Sequence, residues 1–229
     1  MKKLTVTLSE RERYLGLIYL LLEFFVLPIV LYYANTLLQD PLSDTLINLV
    51  YFSVNFLCVV IICRGFLWRS LKQLSKRVLP ILRYVLLGFV LYELGVYLVN
   101  LIAYFAMPDF TNVNDAAIFA MGQDYFIPVS IGLVLLVPVV EETLYRGLIF
   151  GAFYERSRVL AYALSTVVFA SIHVVSYLGA YSPLLLSLCF LQYIPAGLCL
   201  AWAYAKADNI FAPILIHMTI NLIGVFTMR

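Results

Sequence analysis

Residues 84–107, YVLLGFVLYELGVYLVNLIAYFAM, decide what kind of protein this is. The stretch carries one charged side chain, Glu93. As a helix rising ~1.5 Å per residue it reaches past the ~30 Å hydrocarbon core of a bilayer. Similar stretches lie on both sides of it: Tyr14–Leu38, Leu46–Cys63, Tyr125–Phe153, Val159–Leu178, Pro183–Ala205 and Ile210–Met228. Only helices and closed barrels satisfy their backbone in lipid, and stretches of this length are helical. The expected fold is all-α: a polytopic transmembrane helical bundle of about seven spans, one integral membrane domain over residues 1–229.

Composition agrees. Of 229 residues, 64% are hydrophobic and 12% charged, with mean hydropathy +0.97. Soluble domains average about 25% charged residues. Half that charge cannot cover a water-facing surface, so a soluble domain is excluded, and so is a disordered chain. The net charge of +2 gives no basic field for nucleic acid. Membrane lipid is the expected surrounding partner. Cys58, Cys63, Cys189 and Cys199 show no CxxC or Cys/His metal spacing and read as packing residues.

The charges set an expected orientation. Lys2, Lys3, Arg11 and Arg13 precede the first stretch; Arg64, Arg69, Lys72, Lys76, Arg77 and Arg83 follow the second. Arg146, Arg156 and Arg158 lie at or beyond the end of the fourth, and Lys206 between the sixth and seventh. Fourteen of the fifteen basic residues thus fall on alternate sides, with only Arg229 outside the pattern. The intervening loops hold Asp40, Asp44, Asp109, Asp115 and Asp124 without a Lys or Arg. The positive-inside rule then gives N-in, C-out topology. The first apolar run is too long for a cleavable signal core and reads as a signal anchor. Expected localisation is integral and multi-pass, in a bacterial inner or plasma membrane. The basic segment 64–83 is either a topology-setting loop or an amphipathic helix on the anionic leaflet.

Ionisable residues inside spans are costly and mark candidate sites. Here they are Glu23, Glu93, Glu141, Glu142, Arg146, His173 and His217, the two histidines being the only ones in the chain. Glu141-Glu142-Thr143-Leu144-Tyr145-Arg146 is the densest cluster. Glu142 and Arg146, four apart, share a helix face and can pair. Glu141 points about 100° away, leaving a freer acid suited to general-base work; a purely structural Glu–Arg clamp is the alternative. Phe169-xxx-His173 sets a ring one turn from an imidazole, and His217-xxx-Asn221 aligns an imidazole with an amide, both able to donate to an oxyanion. Interhelical polar packing explains either histidine equally simply. Gly147 and Gly151 stand at GxxxG spacing, a weak signal for close helix approach. Glu23 and Glu93 receive no chemistry.

EExxxR, then FxxxH, then HxxxN, in that order on successive membrane helices, resembles the CPBP intramembrane protease family. That family includes the type II CAAX prenyl endopeptidases and bacterial Abi proteins, some linked to bacteriocin self-immunity. Tyr145-Arg146-Gly147 and Pro213 also fit, and the matching core region is 134–221. Ala207-Asp208-Asn209 stands where the family commonly carries a turn of Thr-Gly-Ser type.

The resemblance implies an intramembrane endopeptidase acting near the cytoplasmic membrane face. Glu141 and His173 would position and deprotonate a water, His217 and Asn221 would stabilise the tetrahedral oxyanion, and Glu142 and Arg146 would hold the geometry. HExxH is absent. No cofactor is favoured, although Glu and His side chains leave zinc possible. The implied partner is a peptide or membrane-protein substrate, and in a bacterium a small membrane protein suits better than a prenylated one. Two other readings stay open: a non-catalytic partner such as a bacteriocin-immunity protein, and a transporter. The lack of inverted repeats speaks against the transporter.

Overall fold

A computed structural model describes residues 3–227, apart from the side chains of Asp124 and Thr227. Lys2, Met228 and Arg229, which entered the charge count and the last apolar stretch, lie outside the described residues, as does the side chain of Asp124. Among the described residues every regular element is helical. Helices α1 (Glu10–Phe25) and α2 (Leu27–Thr36) meet at a 45° bend. Then come α3 (Asp44–Ile62), α4 (Arg64–Lys76) and α5 (Val78–Ala106). α6 (Val113–Ile131) breaks at Tyr125 and runs on through a π-helical stretch Gly132–Leu136, α7 (Val137–Glu141), a second π-helical stretch Glu142–Phe150 and α8 (Gly151–Tyr154). The chain ends with α9 (Arg158–Ile172), α10 (Pro183–Ala207) and α11 (Phe211–Thr227).

Four helical runs are long and apolar enough to cross a membrane: Asp44–Ile62, Val78–Ala106, Tyr125–Tyr154 and Pro183–Ala207. The bent α1–α2 pair makes a fifth. The other two expected spans form shorter helices. α9 stops at Ile172, so the stretch expected to run to Leu178 does not. Beyond His173 the chain makes a 3₁₀ turn at Val175–Tyr177, and Gly179 takes φ 84. Its positive φ suits a residue without a Cβ.

The four basic segments meet on one face. Ser9 and Glu12 form a capping box that starts α1. Glu12 then reaches α4: Phe66 N–H donates to its Oε1 at 2.7 Å and Arg69 Nη2 to its Oε2 at 3.1 Å. α4 has no side-chain cap of its own. A carboxylate from α1 thus satisfies an orphan donor in its first turn. Asp208 ends α10 in the left-handed conformation, φ 57. Aspartate tolerates that region, which explains how it replaces a glycine-type turn. Its carboxylate accepts from Thr5 N and Thr5 Oγ1, both at 2.7 Å. Asn209 Nδ2 donates to Ser70 O at 2.8 Å and Gln73 Oε1 at 2.7 Å, and Lys3 pairs with Glu155 at 3.0 Å.

Candidate active site

Two local breaks in helix regularity aim the site residues. Val137 N–H bonds back five residues to Gly132 O, and Pro138 has no N–H to give. Leu133 O accepts instead from Asn221 Nδ2 on α11, at 2.7 Å. This bond ties α11 to the start of the rod, and it spends one of the two amide hydrogens of Asn221. The second break, Glu142–Phe150, carries the glutamate–arginine pair. π-helical turns are rare and frequent at functional sites.

Glu142 is the hub. Its Oε1 accepts from Arg146 Nη1 at 2.9 Å and from His217 Nδ1 at 2.9 Å. Glu142 and Arg146 are fully buried, and His217 is 6% exposed. An ion pair this deep requires support from further hydrogen bonds. Arg146 receives it: Nη2 donates to Gly197 O on α10 at 3.3 Å, and its guanidinium lies 4.3 Å from the Phe169 ring centroid. Gly197 makes that approach possible. A Cβ there would stand 2.6 Å from Thr166 Cγ2 and 3.0 Å from Thr166 Cα.

The hydrogen bonds fix both histidine tautomers. Glu142 can only accept from Arg146 and His217 in this arrangement, so His217 donates from Nδ1 and keeps Nε2 out of this bond. His173 Nδ1 lies 2.8 Å from Phe169 O. A carbonyl only accepts, so Nδ1 carries the hydrogen, and the neutral ring offers the lone pair of Nε2. The Phe169 ring packs near both imidazoles, 4.8 Å from His173 and 5.9 Å from His217 between centroids.

Glu141 sits one position round the helix, as the sequence geometry required. Its Oε2 is buried without a hydrogen-bond partner among the described residues. It lies within electrostatic range of His217, Glu142 and Arg146. His173 lies in range of the same His217 and Arg146. Glu141 and His173 make no direct hydrogen bond with each other; the Glu142–Arg146–His217 unit links them. On its other flank Glu141 is in range of Glu23 from α1, which is buried beside Tyr51. Among the described residues no group of three or more His, Cys, Asp or Glu side chains is placed to hold a metal ion. The donor set fits one poorly for another reason: Glu142 Oε1 already carries two N–H donors, one of them a cation.

The comparisons with known proteins fall on this region. Residues 123–223 match the family model described as type II CAAX prenyl endopeptidase Rce1-like. This segment is similar to that family. All three motifs lie within it, so the resemblance carried by EExxxR, FxxxH and HxxxN is borne out. The chain is also 31% identical over 90 residues to the UPF0177 protein YxdF of Lactococcus lactis subsp. lactis (strain IL1403), covering 39% of this chain and 44% of that one. It is 33% identical over 85 residues to YdiL of Bacillus subtilis (strain 168), whose name gives it as a membrane peptidase, covering 37% of this chain and 30% of that one. The chain therefore spans less than half the length of either curated relative in alignment. No solved structure matches the chain. The Rce1-like segment and the apolar helices make this an integral membrane protein.

Sequence reasoning missed three contributors. Gly197 supplies a carbonyl and closeness; Ser165 Oγ donates to Tyr145 O in the second π-helical stretch at 3.0 Å; Tyr193 stacks on His173 at 4.1 Å. A glycine mid-helix was the one signal available, since the tyrosine is one of 17 and the serine is unremarkable by spacing. The GxxxG pair works differently from its spacing. Gly147 faces the ring of Phe66 on α4, where a Cβ would meet it at 3.1 Å, and Gly151 meets only a backbone oxygen of its own helix.

Proposed function

We propose that the protein is an intramembrane endopeptidase of CAAX-protease type that hydrolyses a peptide bond with a water activated by Glu141 and His173. The observation that carries this reading is the single buried oxygen, Glu142 Oε1, held by both Arg146 and His217 at 2.9 Å. It holds one imidazole through Nδ1, while Phe169 O holds the other in the same way. Glu141, with a free buried oxygen, takes the proton of the attacking water. His173, in its neutral form, accepts the second hydrogen of that water through Nε2 and orients its lone pair. His217, donating through Nε2, and the second amide hydrogen of Asn221 stabilise the tetrahedral oxyanion. Glu141 then returns its proton to the leaving amine. Glu142 and Arg146 touch no reacting atom in this scheme; they position His217.

The scheme runs without metal. Zinc would have to share Glu142 with a guanidinium, and the fixed cation opposes that. We further propose N-in, C-out topology in the cytoplasmic membrane of a bacterial cell, cleavage near its inner face, and a peptide or small membrane protein as substrate. The meeting of the four basic segments on one face supports that topology.

The test is comparative proteomics of wild-type and Glu141→Gln cells. A membrane peptide that accumulates uncut in the variant is expected. Unchanged cleavage by Glu141→Gln overturns the base assignment. Protection against a bacteriocin surviving in that variant would favour an immunity role without catalysis, and solute flux in liposomes would favour a transporter. Activity that survives strong chelation, in protein free of zinc, is expected.

A further inference from the structure

His173 is gripped more closely than a two-residue FxxxH motif requires. Its ring packs against Phe169, at 4.8 Å and a 54° tilt, and against Tyr193 of α10, at 4.1 Å and 22°. Phe169 comes from its own helix and is fixed by it. Tyr193 is fixed by something else. Its hydroxyl accepts from Asn114 Nδ2 at 3.1 Å and donates to Asp115 Oδ1 at 3.1 Å, with Asn112 Oδ1 at 3.4 Å. Asn112 caps α6 through Oδ1 and donates from Nδ2 to Gln192 Oε1 at 2.7 Å; Gln192 Nε2 donates to Asn100 Oδ1 on α5 at 2.7 Å.

Asn100, Asn112, Asn114 and Asp115 all precede residue 123, where the Rce1-like segment begins. A chain of side-chain hydrogen bonds from α5 and the start of α6 therefore ends on the phenol stacked against His173. Stacking controls the plane of the imidazole, and the Phe169 carbonyl controls its spin about the Cβ–Cγ bond. Together they fix where Nε2 points.

We propose that Tyr193 is a positioning residue for His173, and that Asn114 and Asp115 act through it as a clamp supplied from outside the Rce1-like segment. The proposal rests on the peptidase reading for its kinetic consequence and on geometry alone for its spectroscopic one. The other ionisable groups near His173 are Arg146 and His217. Neither hydrogen-bonds Tyr193, so the clamp's hydrogen bonds can be altered without breaking those of Arg146 and His217.

The chain has two histidines, which makes the test clean. Protein labelled only at the histidine Cε1, in detergent, gives two ring C–H signals by NMR, assigned with His173→Gln. A proton over an aromatic face is shifted upfield by its ring current. In Tyr193→Leu the His173 signal is expected to move downfield while that of His217 stays. Asp115→Ala is expected to broaden or shift the same signal, and Asp115→Asn, which keeps an acceptor oxygen, to restore it. On a cleaved peptide, Tyr193→Leu is expected to lower kcat about tenfold to a hundredfold with KM unchanged, the scale of a small misplacement of a reacting group. Tyr193→Phe, which keeps the ring and loses the clamp, should fall between. An unmoved His173 signal in Tyr193→Leu overturns the proposal whatever the wild type cleaves, as does an unchanged kcat. A wild type that cleaves nothing, with the His173 signal responding as described, strikes the peptidase reading alone.

Discussion

The two halves of this membrane protein use the same apolar alphabet for opposite purposes. In α3 and α5, 11% of the most apolar window is buried inside the protein; in Tyr125–Tyr154 and Pro183–Ala207 the share is 44%. Leu86, Tyr97, Leu98 and Phe105 on α5 are all exposed, offered to lipid. The run Glu142–Leu148 is buried residue after residue, including two charges. In water, burial marks the apolar residues. In a bilayer apolar exposure costs nothing, and burial inside the bundle is where charges must go. The polar core of the second half is therefore its most enclosed part.

That contrast can be broken from its strongest point downward. Glu141→Gln removes the proposed base at nearly constant shape. Hydrolysis is expected to fall by about 10²–10⁴-fold, measured on the peptide found by proteomics, with the fold unchanged by circular dichroism. Arg146→Met leaves the buried Glu142 carboxyl without its cation, held only by His217, and a loss of about 3–5 kcal/mol is expected in denaturant unfolding in mixed micelles. Glu142→Gln combined with Arg146→Met should recover part of that loss, since the uncompensated charge is then gone. Survival of Arg146→Met at full stability would show that the buried pair does not hold the second half together.

Smaller effects sharpen the comparison. Gly197→Val pushes a side chain into the backbone of Thr166 and is expected to cost about 1–3 kcal/mol in the same assay. Asn221→Leu strips Leu133 O of its recorded donor, with a similar expected loss of about 1–3 kcal/mol. Tyr97→Leu on the lipid face of α5, 66% exposed, is expected to change stability by less than about 0.5 kcal/mol. A Tyr97→Leu loss as large as that of Gly197→Val would mean that α5 is packed against something in the membrane.

Much of the candidate site was legible in the spacing. A spacing of four positions put Glu142 and Arg146 on one face, and they pair. The position next door kept Glu141 out of that pair, and its buried Oε2 makes no hydrogen bond among the described residues. Phe169 and His173 meet because they are one turn apart. Spacing could not reach His217 on Glu142, 75 residues away, or the Asn221 amide on Leu133 O, 88 residues away. It also misjudged α9. Hydropathy carried that stretch to Leu178, whereas the helix ends at Ile172 and leaves His173 on its cap. Hydropathy registers transfer into lipid and is blind to where backbone hydrogen bonding stops.

The amino-acid order alone settled that this chain is an all-helical membrane protein, which follows from the length of its apolar runs, and which seven residues make up the motifs of its family resemblance. Which imidazole nitrogen is held, which glycine lets two helices close, and that asparagines from the first half grip a tyrosine in the second were decided by tertiary structure. Those facts depend on side chains far apart in the chain competing for the few donors and acceptors that a water-poor interior supplies.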